Sequence, residues 1–169
     1  MDGPGAPAPV SAVRSFDEFF AAESETLYRR MRIVTRDHHE AEELVQDAFL
    51  AMYERWDRIA TIADPVGYLY RTAFNLWKRR SRRAARAIRQ VFTPPPGTDD
   101  FEAVDARTVV GEALGHLTPR QRAAVVLTDL VGLPSEEAGE ILGVRAVTAR
   151  VLASQARAAL RERLEDTDG

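Results

Sequence analysis

The sequence predicts an all-α chain of two small helical domains joined by a Pro-rich linker, and three observations predict it. Apolar residues recur three and four positions apart along most of its length, and nowhere do they alternate with the two-residue period of a strand. The string Thr93-Pro94-Pro95-Pro96-Gly97-Thr98-Asp99-Asp100 interrupts this pattern, and its prolines favour a stiff extended path without backbone donors. With 169 residues, 45% of them hydrophobic, the chain holds one average domain or two small ones and needs no metal or disulfide to staple its core.

Residues 1–14, rich in Pro, Gly and Ala, read as a disordered tail. Ser15-Phe16-Asp17-Glu18 has capping-box spacing and opens a helix carrying Phe16, Phe19, Phe20, Leu27 and Met31. Asp37-His38-His39-Glu40 repeats the signal ahead of the clearest amphipathic run, Ala41, Leu44, Val45, Ala48, Phe49, Met52 and Trp56. Asp64-Pro65 starts a third helix with Leu69, Tyr70, Ala73, Phe74 and Trp77 on its apolar side. These make a first domain, 15–90, and the linker covers 91–104. The second domain, 105–165, begins with Val109, Val110, Ala113, Leu114 and Leu117. Thr118-Pro119-Arg120-Gln121 is a capping box with proline at the first helical position, and Val126, Leu127 and Leu130 carry that helix to Gly132. A short helix, about 135–142, stops at Gly143, and a long one runs from about 147 to 164.

Composition excludes several functions. Cysteine is absent, which removes disulfides, thiolate nucleophiles and Cys-based zinc sites. No apolar run approaches the ~18 residues of a membrane span and the start of the chain lacks signal-peptide order, so a soluble cytoplasmic protein without membrane insertion is expected. No phosphate-cradling loop, Ser/His/Asp set or HExxH string is present. His38 and His39 with Glu42 and Glu43 offer imidazoles and carboxylates within a helical turn, but those carboxylates are spaced like cap and surface groups, and His116 lies in the other domain. A non-enzyme is expected, with no cofactor, no metal and no small-molecule substrate.

The net charge of −3 conceals segregation. Residues 37–57 carry seven acids against one Arg, whereas residues 71–89 carry eight bases and no acid. Local field, not the sum, decides nucleic-acid binding. The basic run lacks the interleaved Glu of a merely solvated helix and follows Tyr68, Tyr70, Phe74 and Trp77, with Asn75 among them. Rings beside a basic track suit unpaired bases, each stack contributing ~1–3 kcal/mol; for Phe74 and Trp77 a core role competes with this reading. On the acidic helix, Glu43, Gln46, Asp47 and Leu50 share the side opposite the apolar one, a pattern suited to docking on a basic partner helix. In the second domain, a short helix, the turn Gly143-Val144-Arg145-Ala146 and a longer helix have helix-turn-helix spacing, although a helical hairpin used only for packing shares it. Thr148, Arg150, Ser154, Gln155 and Arg157 are its polar candidates for phosphate and base-edge contacts.

In this order the segments resemble a bacterial RNA polymerase sigma factor of the sigma-70 family, extracytoplasmic-function (ECF) subfamily, from about Phe16 to Leu164. EAEELVQDAFLAMYERW resembles the region 2 helix that docks on the polymerase β′ coiled coil; PVGYLYRTAFNLWKRRSRR resembles the segment that opens and reads the −10 element. LTPRQRAAVVLTDLVGLPSEEAGEILGV, followed by a helix ending ARAALRERL, resembles region 4, which reads the −35 element and meets the β flap. The resemblance implies core-polymerase contacts at Glu43, Gln46, Asp47 and Leu50. It implies −10 contacts at Tyr68, Arg71, Asn75, Lys78, Arg79, Arg82 and Arg83, and −35 contacts at Arg145, Thr148, Arg150, Ser154, Gln155 and Arg157. Its implied partners are core RNA polymerase and promoter DNA; many relatives are also held inactive by an anti-sigma factor.

Departures from the family pattern fall in both regions. Tyr68 replaces a common Trp, and Arg79 a common Asp. Pro134 replaces a Ser cap, and Ala138-Gly139 replaces an Ile-Ala pair, which thins the packing expected of the first helix of the motif. Val151 and Leu152 stand where relatives place a small polar residue and an Arg, and Ala153 where they place Leu. Weak −35 binding, or use of Val151 and Leu152 on a protein, is therefore expected. The rival readings are a stand-alone helix-turn-helix regulator and a sigma-like protein-interaction module with weakened DNA binding. A duplex-binding repressor has no use for a stacking platform at Tyr68 to Trp77.

Overall fold

The computed structural model describes residues 15–90 and 109–165; the expected tail and linker lie outside them. Helix α1 (Phe16–Thr35) starts at the Ser15 box, where Ser15 Oγ accepts from the Glu18 amide at 3.2 Å and Glu18 accepts from the Ser15 amide at 3.0 Å. It ends at Arg36, whose φ of +58° turns the chain while its N–H still reaches the Arg32 carbonyl. Asp37 then caps α2 (His38–Tyr53) by accepting from the Glu40 amide at 2.7 Å. A single short helix, α3 (Trp56–Ile59), follows; four residues are too few to leave a periodic signal in the sequence. Asp64 caps α4 (Pro65–Gln90) through the Gly67 amide at 2.8 Å, and a Cβ on Gly67 would fall 1.9 Å from that carboxylate. Glycine is what lets the cap close.

In the second half, α5 (Val109–Gly115) leads to α6 (Pro119–Val125), opened by the reciprocal Thr118–Gln121 box. The expected continuation to Gly132 exists, but as a π-helical turn, 126–130, in which the Val131 amide reaches the Val126 carbonyl. Helices α7 (Ser135–Leu142) and α8 (Ala146–Glu165) complete the helix-turn-helix. Pro134 gives α7 no side-chain cap, as expected of that departure. The Ala138-Gly139 departure acts differently from expectation. A Cβ on Gly139 would stand 2.8 Å from the Val144 carbonyl, so the missing side chain lets the turn close against α7. On α8, Ala149, Ala153 and Ala156 form a buried small-residue face.

The two halves are not merely tethered. Leu27, Met31, Leu44, Met52, Leu69, Tyr70 and Phe74 belong to one core with Ala123, Val126, Leu127, Ile141 and Leu142. Burying each large aliphatic or aromatic side chain contributes about 1.5–3 kcal/mol. A smaller cluster, Leu114, Leu117, Val125 and Ala156, closes the second half. Arginines stitch the seam. Buried Arg122 donates to the carbonyls of Val34, at 3.0 Å, and Leu117. Arg30 donates to the Tyr70 hydroxyl at 2.6 Å and to the Leu130 carbonyl at 2.8 Å; Arg36 reaches the Gly111 carbonyl at 3.2 Å.

Candidate nucleic-acid and polymerase interface

The acidic side of α2 forms as its periodicity predicts. Ala41, Leu44, Val45, Ala48 and Phe49 are buried, Glu43, Gln46 and Leu50 are exposed, and Asp47 is half-buried. Sequence reasoning missed Arg80, which reaches across from α4 and forks between Glu43 at 2.7 Å and Asp47 at 2.6 Å. That pairing spans more than thirty positions, so no local spacing announces it. The ridge therefore carries two carboxylates fixed in orientation and one exposed leucine, 58% accessible, at its end.

Helix α4 presents its polar side as a stripe. Asn75, Arg79, Arg82 and Arg83 are exposed and Tyr68 is half-buried, at positions three, four, seven and eight apart that share one face. Arg71 and Lys78 lie on the flank of this stripe and are half-buried. The expected aromatic platform is corrected here. Tyr70 and Phe74 are fully buried and Trp77 nearly so, all committed to the core, so Tyr68 alone among the four offers a ring to a ligand. The cause is the width of the apolar stripe: a helix packed on α2 and also lying along α7 turns Leu69, Tyr70, Ala73, Phe74 and Trp77 together into the core.

Arg71 pairs with Glu137 of α7 at 2.5 Å, and Lys78 donates to the Ile141 carbonyl at 2.9 Å. Burial, with Arg82 nearby, lowers the Lys78 ammonium below the ordinary lysine range. A cavity of about 520 Å³ opens beside this contact, between Trp77, Lys78 and Arg82 on one side and Pro119, Arg120 and Leu152 on the other. Leu152 thus turns inward against the core, and the reading that pairs it with Val151 on one outward surface is corrected; Val151 is 48% exposed and Leu152 is not.

Arg145, in the turn just ahead of α8, is exposed, as are Arg150, Ser154 and Gln155 on α8, and Thr148 and Arg157 are half-buried. Several are already engaged within the second half: Arg157 with Asp129 at 2.8 Å, Arg150 with Glu136 at 3.7 Å, and Gln155 with Gln121 at 3.3 Å. Val147 and Val151 stand exposed one turn apart on the same helix. The histidine pair has its own local account. His38 meets the Tyr28 hydroxyl at 2.5 Å and Glu42 at 3.3 Å, and no described cluster of His, Asp and Glu could hold a metal ion. No described helix is long and apolar enough to cross a membrane.

Residues 19–87 match sigma-70 region 2, and residues 107–160 match sigma-70 region 4. The RNA polymerase sigma-E factor of Streptomyces avermitilis is 33% identical over 160 residues, covering 92% of this chain and 88% of that one. Among solved structures, the extracytoplasmic-function sigma factor SigJ of Mycobacterium tuberculosis is 32% identical with a TM-score of 0.58, covering 87% of this chain and 54% of SigJ. The sigma factor RpoE of Bartonella quintana, solved with the anti-sigma factor NepR, has a TM-score of 0.67 over 89% of this chain and 96% of its own; at 22% identity it speaks for the fold alone. Acid ridge, basic helix and helix-turn-helix stand in the order those two regions require, and the chain belongs to the sigma-70 family of RNA polymerase sigma factors, in its extracytoplasmic-function subfamily.

Proposed function

We propose that the chain is a promoter-specificity subunit: it joins core RNA polymerase through α2 and directs the enzyme to promoters through α4 and α8. The β′ coiled coil docks on Glu43, Gln46, Asp47 and Leu50, with Arg80 holding two of the carboxylates in place. The melted −10 strand runs along α4, its bases at Tyr68 and Asn75 and its phosphates on Arg71, Lys78, Arg79, Arg82 and Arg83. Residues 15–90 form this module, residues 105–165 the −35 and β-flap module, and 91–104 the tether, which makes the second DNA contact intramolecular. Phosphodiester chemistry belongs to the polymerase, so the chain is no enzyme, and it acts where the polymerase acts, in the cytoplasm. An anti-sigma factor is proposed as a further partner, by extension from the Bartonella complex.

One observation carries this reading: a solvent-facing amide and arginine stripe on α4 lies beside a rigid acidic ridge on α2. Mixing the protein with core polymerase and a promoter template tests it, with promoter-dependent initiation expected. Asn75→Ala should lower open-complex formation about tenfold while leaving polymerase binding intact, a loss in the range of one base contact. Asp47→Arg should abolish initiation by reversing charge at the docking face; normal initiation by that variant rejects the docking assignment.

A further inference from the structure

We propose that α8 reads thymine methyl groups in the major groove: Val147 and Val151, rather than an arginine, are the side chains that choose the upstream bases. The inference rests on the −35 reading of α8 given above and adds the class of base that is read.

The outward line of α8 carries it. Ala149, Ala153 and Ala156 are buried against the rest of the second half. On the opposite side Val147, Val151, Ser154 and Ala158 are exposed, the last three standing four, seven and eleven positions on from the first and so sharing its face. Val147 is 50% exposed and Val151 48%. Gly143, at φ +70°, turns the chain toward α8, and Val147 falls in the first turn of that helix, the part of a recognition helix that reaches base edges. The arginines stand off this line. Arg150 lies on its flank, facing Glu136 at 3.7 Å, and Arg157, farther round, is held by Asp129 at 2.8 Å. Valine is a poorer helix former than alanine, and methyl groups left in water gain nothing in the free chain, so the pair does not serve stability.

The base class follows from groove chemistry. Guanine turns two acceptors to the major groove and cytosine an amino donor, and a valine pressed on either strands those groups without partners. Thymine turns its C5 methyl to the same groove, and a valine covers that methyl with a gain in buried apolar surface. Ser154, whose hydroxyl both donates and accepts, suits a polar edge beside it. Four helical residues rise ~6 Å, close to two base steps of ~3.4 Å, so the two valines meet thymines one or two steps apart. Arg145, exposed in the turn ahead of α8, and Arg150 on the flank are left for phosphates, which position the helix without specifying sequence.

The test uses the full chain bound to core polymerase, with a fully randomised duplex library as probe. Selection should enrich an upstream block that holds thymines one or two steps apart. Remaking a selected duplex with deoxyuridine for thymidine in that block removes only the C5 methyls, and should weaken binding about fourfold for each methyl covered. The double variant Val147→Ser, Val151→Ser, which alters only exposed side chains, should bind the thymine and uracil duplexes equally. Equal binding of the two duplexes by the unsubstituted chain overturns the methyl readout, and an upstream block that is still enriched then upholds the −35 reading. Enrichment of a downstream element with no upstream block overturns both together. Loss of polymerase binding by the double variant, with no response to uracil in the unsubstituted chain, assigns the valines to a polypeptide partner and overturns the proposal.

Discussion

Glu40 lies half-buried in the first turn of α2, and its carboxyl is pushed above the ordinary value of 4.5 by burial first, then by Asp37 and Glu43; Arg80 pulls the other way. A carboxyl raised in the folded state favours the protonated form there. Its contribution to stability is therefore complete below about pH 4.5, where both states are protonated, and is lost as pH rises through the folded value. Glu40→Gln should consequently raise the urea midpoint at pH 7, and the advantage should vanish below pH 4.5. A pH-independent difference would assign the effect to packing instead. The cap position of this residue was legible from its spacing to Asp37. Its electrostatic surroundings were not, because Arg80 arrives from a helix about forty positions later. The same holds for the Tyr70 ring, which the sequence offered to DNA and the fold spends on Arg30 and the core.

At the level of elements, periodicity located every long helix, because each buries one face. What it missed was small or irregular: α3 and the π-helical turn at 126–130. Gly139 shows how a family departure can mislead. Glycine inside a helix costs about 1 kcal/mol against alanine, so Gly139→Ala looks favourable by propensity. The added Cβ would meet the Val144 carbonyl at 2.8 Å, and that atom is backbone, so the turn must shift. Gly139→Ala is expected to destabilise by about 1–2 kcal/mol in chemical denaturation, as overpacking does. A gain would show that the helix-turn-helix turn relaxes freely.

For the whole molecule, the sequence indicated two tethered domains, and the structure joins them through a continuous core. No pattern within either half could reveal this, since a residue facing the other domain reads the same as one facing its own. Arg122 is the clearest case: an arginine in a capped helix looks solvated, yet it is 6% exposed and donates to backbone carbonyls of both halves. Arg122→Ala should cost about 3 kcal/mol, because it strands buried carbonyls and leaves a void. A continuous core also predicts one cooperative transition. Both tryptophans, Trp56 and Trp77, lie in the first half, so their fluorescence and the helical signal of the full chain should melt together. Separate midpoints would mean that the seam breaks first.

The shared core has a consequence for dosage. If only parted molecules can load onto polymerase, the usable concentration of factor is the total multiplied by the parted fraction, and every 1.4 kcal/mol held in the seam dilutes the supply about tenfold. Substitutions at Leu142 or Ile141, remote from any promoter, would then set how many genes' worth of enzyme the cell can redirect.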